Sequence, residues 1–221
     1  MISKKEDPLL ISQDTLRILI GVLGVTLPVL LVLGAWGFQT SISDYYYTNM
    51  RDYFEGVLFF LAVFLVAYRP YGDDGWADSL ITSLAGGFSL LLAFFPTVNH
   101  FLNHIPESLV LKFIPVEWSI NFHNVGSAGL FLCFAVMSLF YFTRGKQAQR
   151  TPRKVLRNGI YIACGLGIGV CIGVIGVFAA TAGPGGTERL SIFWPEAIAL
   201  VLFGFSWLVK GGAFPFLNDK A

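Results

Sequence analysis

LRILIGVLGVTLPVLLVLGAWGF, residues Leu16 to Phe38, decides the fold: in it only Arg17 carries a charge. At 1.5 Å per residue such a run spans the ~30 Å of a bilayer's hydrocarbon core as one helix. Five further apolar runs of similar length follow, and the spans are placed at about 16–38, 49–68, 77–95, 121–142, 158–180 and 194–210. Breakers punctuate the connections: Pro70, Gly72 and Gly75; Pro96 and Pro106; Pro152; and Gly183-Pro184-Gly185-Gly186. No series of ten-residue alternating strands is present, which disfavours a β-barrel. The expected fold is therefore an all-α, six-transmembrane-helix bundle in one domain covering residues 1–221.

The composition agrees with that reading. Of 221 residues, 55% are hydrophobic and 13% charged, against about a quarter charged in a soluble domain. Fifteen basic residues against 14 acidic ones exclude a generally basic nucleic-acid binder. With six spans, twelve of the 15 Lys and Arg fall on one side, leaving only Arg51, Lys112 and Arg189 on the other. The positive-inside rule then places both termini in the cytoplasm of a bacterial inner membrane. The acidic residues near the first run and the lack of a small-residue cleavage site make that run a span rather than a cleaved signal. Cys133, Cys164 and Cys171 fall within spans, as small apolar packers do. Glycines at four-residue spacing, Gly165, Gly169 and Gly173, with Ser79, Ser83 and Gly87, mark the expected close helix contacts.

Candidate chemistry gathers on the external side. Sorting charges by side resolves the net +1 into about +5 inside and −4 outside, and all three histidines fall outside. Asp44, Tyr47, Arg51, Asp52 and Glu55 cluster at the start of the second span, His123 opens the fourth, and Glu196 opens the sixth. Ionisable groups at such depth usually face a bundle interior or a wet cavity, so these seven form a candidate polar pocket. Acids in a first helical turn also simply favour the macrodipole, by about 0.3–1 kcal/mol. His100 and His104 make H-x-x-x-H and, with His123, could hold zinc, although residue 101 is Phe and no H-E-x-x-H is formed. No P-loop, Ser–His–Asp or haem spacing occurs, and Gly165-Leu-Gly-Ile-Gly lacks the βαβ unit of a dinucleotide site.

Several segments carry a resemblance: Ile42-Ser-Asp-Tyr-Tyr-Tyr-Thr48 with Arg51-Asp52 and Gly56, Phe95-Pro-Thr97, Lys154 with Arg157-Asn158 and Tyr161, and Glu196 with Phe203 to Gly211. Together the chain resembles small bacterial six-helix integral membrane proteins of unassigned function. The resemblance implies a six-helix inner-membrane fold and transfers no catalytic residue. His123 and Glu196 match that pattern, whereas Glu55, His100 and His104 depart from it. Similarity to zinc hydrolases of the alkaline ceramidase and progestin/adiponectin-receptor type is poor, because their H-x-x-x-H lies in the last helix and none occurs there here. Three roles stay open. They are a structural or regulatory subunit, a binder or transporter of a small molecule or lipid headgroup through the external pocket, and a metal-dependent hydrolase there. Membrane lipids are the expected partners, and no cofactor is implied beyond the zinc reading.

Overall fold

The computed structural model describes residues 12–68, 75–97, 108–144, 151–181 and 192–219. Among them every regular element is helical and no strand occurs. The α-helices are α1 (Gln13–Ala35), α2 (Arg51–Ala67), α3 (Gly75–Phe94), α4 (Val116–Val136), α5 (Pro152–Thr181) and α6 (Phe193–Lys210). All but α2 are long and apolar enough to cross a membrane, and α2 has 17 residues.

Local chemistry sets the helix ends. Ser12 caps α1 by accepting from the Thr15 amide at 3.1 Å, and Trp36 stops the helix in the left-handed region at φ 54°. Consequently α1 is shifted toward the chain start relative to the apolar run. Thr151 caps α5 through the Lys154 amide at 3.1 Å, with Pro152 as the first helical residue. That start lies six residues before the expected span, because a helix continues past the apolar run it contains. Pro115 precedes α4, which then passes into a π-helical turn at Met137–Tyr141. A 3₁₀ turn, Ser43–Tyr47, precedes the expected second span, and α2 begins at Arg51, two residues inside it.

Each helix packs on the next along the chain, and α6 returns to α1, where the contact is most extensive. Alternate helices therefore run in opposite directions around a closed ring. Arg17 near the start of α1 donates to the Tyr68 hydroxyl after α2 at 3.0 Å, and Arg144 after α4 pairs with Asp78 early in α3 at 3.3 Å. A stacked Phe134–Phe203 pair joins α4 to α6, and Trp207 is fully buried against Tyr68, Phe142 and Phe203. Two hydroxyl contacts tie helices within this apolar core: Ser89 donates to the Leu58 carbonyl at 2.9 Å, and Ser138 meets Ser206 at 3.1 Å. All three cysteines are buried and free.

The closest helix approach is not where the glycine spacing places it. Gly169, Gly173 and Gly87 face open space, with nothing within 4 Å of where a Cβ would stand. Instead α1 and α6 meet backbone to backbone: a Cβ on Gly204 would lie 2.6 Å from the Gly21 carbonyl, and one on Gly24 3.0 Å from the Gly204 Cα. Gly165 alone of its stripe is packed, against Leu139. A glycine stripe permits close approach, but only a facing surface of matching shape uses it.

Replacing Gly204 by alanine is expected to destabilise the bundle by about 1–3 kcal/mol, since backbone must move to admit the methyl. Gly173→Ala should stay within about 0.5 kcal/mol of the parent. Thermal unfolding of both variants in detergent checks the pair.

Candidate functional site

The segment between α1 and α2 folds because its polar residues bond one another. Ser41 Oγ accepts from the Asp44 amide at 3.1 Å, while Asp44 Oδ2 accepts from the Ser41 amide at 3.1 Å and from the Thr40 hydroxyl. This reciprocal pair is a capping box, and it starts the 3₁₀ turn. Two helices are tied to the box. Glu196 in the first turn of α6 accepts from the Ile42 amide at 2.7 Å, and the Phe193 amide donates to the Thr40 carbonyl at 2.9 Å. His123 of α4 reaches across with Nδ1 at 2.8 Å from the Phe95 carbonyl and Nε2 at 2.9 Å from Ser43 Oγ. A carbonyl only accepts, so Nδ1 carries a proton; in the neutral ring Nε2 accepts from the Ser43 hydroxyl.

Asp44, His123 and Glu196 thus meet on one turn, each buried. Arg51 and Glu55 form a second group beside it. Arg51 Nε lies 3.0 Å from Glu55 Oε1, and its guanidinium stacks over the Tyr46 ring at 4.1 Å and bonds the Tyr46 hydroxyl. Burial raises the Tyr46 phenol above its ordinary pKa, against the opposing pull of Ser108 and Arg51. Tyr47 anchors outward, donating to the Thr97 carbonyl, and Asp52 is exposed. His100 and His104 lie outside the described residues. Among the described residues no three His, Cys, Asp or Glu side chains are grouped as metal ligands would be. The seven candidates therefore divide into a buried joint, a cation–π ion pair and two peripheral residues. Asp44, Tyr47, His123 and Glu196 each bond the protein's own backbone.

A cavity of about 430 Å³ opens at the opposite end. It is lined by the start of α1 (Asp14, Arg17), the segment after α4 (Phe142, Arg144), the first turns of α5 (Lys154, Arg157, Asn158, Tyr161), the end of α6 (Val209, Lys210) and the strap that follows. Gly211 lets the end of α6 lie against Ile18, with its would-be Cβ 3.0 Å from the Ile18 amide. Gly212 then turns the chain at φ 76°, a conformation other residues rarely adopt. Asn218 fastens that turn by donating to the Gly212 carbonyl at 3.0 Å.

Five cations and two carboxylates face this space. Arg17 pairs with Asp14 at 2.5 Å and Tyr68 at 3.0 Å, yet its Nε is buried with no acceptor among the described residues. Lys210 Nζ donates to the Phe142 carbonyl at 3.2 Å and sits 5.6 and 5.9 Å from the Phe142 and Tyr161 ring centres. Arg157 donates to the Leu217 carbonyl at 2.5 Å and pairs with Asp219 at 2.7 Å. Thr151 and Arg157 hold the Asp219 carboxyl below the usual carboxylate range. An excess of fixed positive charge in a concave site attracts anions, and arginines bind carboxylate or phosphate oxygens directionally.

Counting these cations by side made them a topology signal and hid the cavity. Lys154 and Arg157 three residues apart, followed by Asn158 and Tyr161, share one helical face and were the available clue. No known protein family, curated protein or solved structure matches the chain.

Glu196→Ala leaves the buried Ile42 amide unpaired and is expected to cost about 1–3 kcal/mol, with Glu196→Gln costing less because its amide oxygen still accepts. Thermal denaturation of the two variants compares them. The depressed Asp219 pKa gives a second expectation. Its contribution is complete above the unfolded carboxyl value of 3.8 and is lost as pH falls through the lower folded value. Hydrogen exchange over residues 213–219 should therefore quicken on acidification below that range.

Proposed function

We propose that the chain is a multi-pass protein of a bacterial inner membrane, crossing it six times with its basic end in the cytoplasm, and that it binds an anionic, phosphate-bearing small molecule or lipid headgroup there. The observation that carries the reading is the 430 Å³ cavity faced by Arg17, Arg144, Lys154, Arg157 and Lys210. Its size falls within the ~300–1,000 Å³ range of small-ligand sites. Three features support an anion rather than a neutral ligand. The basic side chains outnumber the acids, Arg17 Nε has no acceptor among the described residues, and two aromatic rings flank Lys210 and shape the floor. The orientation rests on the positive-inside asymmetry, with twelve of 15 cations on this side. In the same orientation the cavity lies at headgroup depth, where anionic lipids supply phosphate as free metabolites do.

A subunit role is the second reading. It is favoured by the outer face of α5, where Gly169, Gly173 and Gly176 meet nothing within 4 Å among the described residues. The two roles are compatible.

Pyrophosphate at a hundred times its Kd is expected to stabilise the purified protein by about 2.7 kcal/mol. The double variant Lys210→Gln, Arg157→Gln should show no such stabilisation while remaining folded. A thermal-shift titration at low ionic strength reads both, and equal shifts in parent and variant would sink the proposal.

A further inference from the structure

The strap after α6 carries its own anion into the basic cavity. Asp219 Oδ2 lies 2.7 Å from Arg157 Nη2, and Oδ1 accepts from Thr151 Oγ1 at 2.5 Å. Thr151 is also the cap of α5, so this carboxylate sits at the positive end of a 30-residue helix. Two further donors hold the strap by its carbonyls: Arg157 Nη1 on Leu217 at 2.5 Å and Arg153 Nη1 on Asn218 at 2.6 Å. Leu217 is buried, but the Asp219 side chain is 40% exposed and lines the cavity. One end of the strap is thus anchored in apolar contact and the other by hydrogen bonds and one ion pair to α5 and its cap.

The charged groups facing this carboxylate come from every wall. Arg153, Lys154 and Arg157 belong to α5, Lys210 to α6 and Arg144 to the segment after α4, and Asp14 of α1 is already engaged by Arg17. Asp219 is the one acid here whose bonds go to α5. Resting on the anion-binding reading of the cavity, we infer that Asp219 is a built-in competitor: its carboxylate occupies the Arg157–Thr151 subsite that the ligand's phosphoryl group takes, so that binding releases the strap. The chemistry fits. A carboxylate offers two coplanar oxygens to Arg157 and Thr151, and a phosphate offers the same pair with more charge. A short tether supplies its group at millimolar effective concentration, so a weak monoanion is excluded and only a ligand that also engages the other cations displaces it. The strap therefore selects for a multiply charged ligand.

The test uses the full chain in detergent, with inorganic pyrophosphate as the soluble probe and lipid nanodiscs containing phosphatidic acid or only phosphatidylcholine as the membrane arm. Asp219→Asn keeps the shape of the side chain and removes its charge. It is expected to bind pyrophosphate about ten-fold tighter than the parent, equivalent to ~1.4 kcal/mol. In the parent, pyrophosphate should speed hydrogen exchange over residues 213–219, a measurement that does not depend on the variant's folding. If a lipid is the natural ligand, phosphatidic acid produces the same exchange change and phosphatidylcholine does not. Unchanged or weaker binding by Asp219→Asn, or slower exchange of the strap in the parent, overturns the competitor while Lys210→Gln still weakens binding and the cavity stands. Absence of pyrophosphate and phosphatidic acid binding in both parent and variant overturns the cavity reading and this inference with it.

Discussion

Contact between α1 and α6 at Gly21, Gly24 and Gly204 closes the ring, and the arrangement of both ends depends on it. In lipid, apolar side chains gain little by leaving the solvent, so helices associate through close packing and interhelical hydrogen bonds. Backbone-to-backbone contact at Gly204 supplies the first and fixes the separation of the two helix axes. At one end that separation brings the α6 first turn to the residues after α1, where Glu196 meets Ile42 and Phe193 meets Thr40. At the other it lays Gly211 on Ile18 and sets Lys210 beside the cavity that Arg17 lines. One crossing therefore positions a closed joint and an open site.

The two ends treat charge in opposite ways. Around the 3₁₀ turn, Asp44 and Glu196 are buried but accept from backbone amides, and His123 bridges a carbonyl and a hydroxyl. Buried polar groups are stable there because partners are supplied by fixed backbone, at little entropic expense. At the basic end the cations hang on long side chains around open space, three of them paired with carboxylates and Lys210 held by two rings and a carbonyl. Such an array keeps its attraction for an incoming anion.

Hydropathy made the helical class and five helices long and apolar enough to cross a membrane legible, because the bilayer constraint acts on composition over about 20 residues. It did not give the helix ends. The polar first turns of α5 are helical through Thr151 and Pro152, and the segment ahead of the expected second span is a 3₁₀ turn started by the Ser41–Asp44 box. Glycine spacing on α5 suggested a contact, but which surface faces a stripe is a property of the partner, and Gly169 and Gly173 look outward. The meeting of Asp44, His123 and Glu196 was partly legible, since all three lie near helix starts on one side. Their bonds to Ile42, Ser43 and Phe95 were not, because backbone partners leave no mark in side-chain patterns. The cavity was masked by its own composition: cytoplasmic cations are expected in any multi-pass chain, so their number carried no news of their geometry.

Arg17 shows why that geometry matters. It is the only charged residue within the apolar run that decides the fold, and its side chain is 13% exposed. Two of its three nitrogens are engaged, by Asp14 and by the Tyr68 hydroxyl, and the third is buried without an acceptor among the described residues. Leaving a buried donor unsatisfied costs about 1–3 kcal/mol, more for a charged group. A purely topological arginine would snorkel to water and avoid that cost. Asp14 and Tyr68 instead hold this one inward, at the wall of a cavity that also presents Lys210 and Arg157. The anion binding proposed for the cavity gives this inward placement a use, since it fixes a cation at the wall. On that proposed reading, the residue that is unfavourable for the isolated helix contributes fixed positive charge to the site.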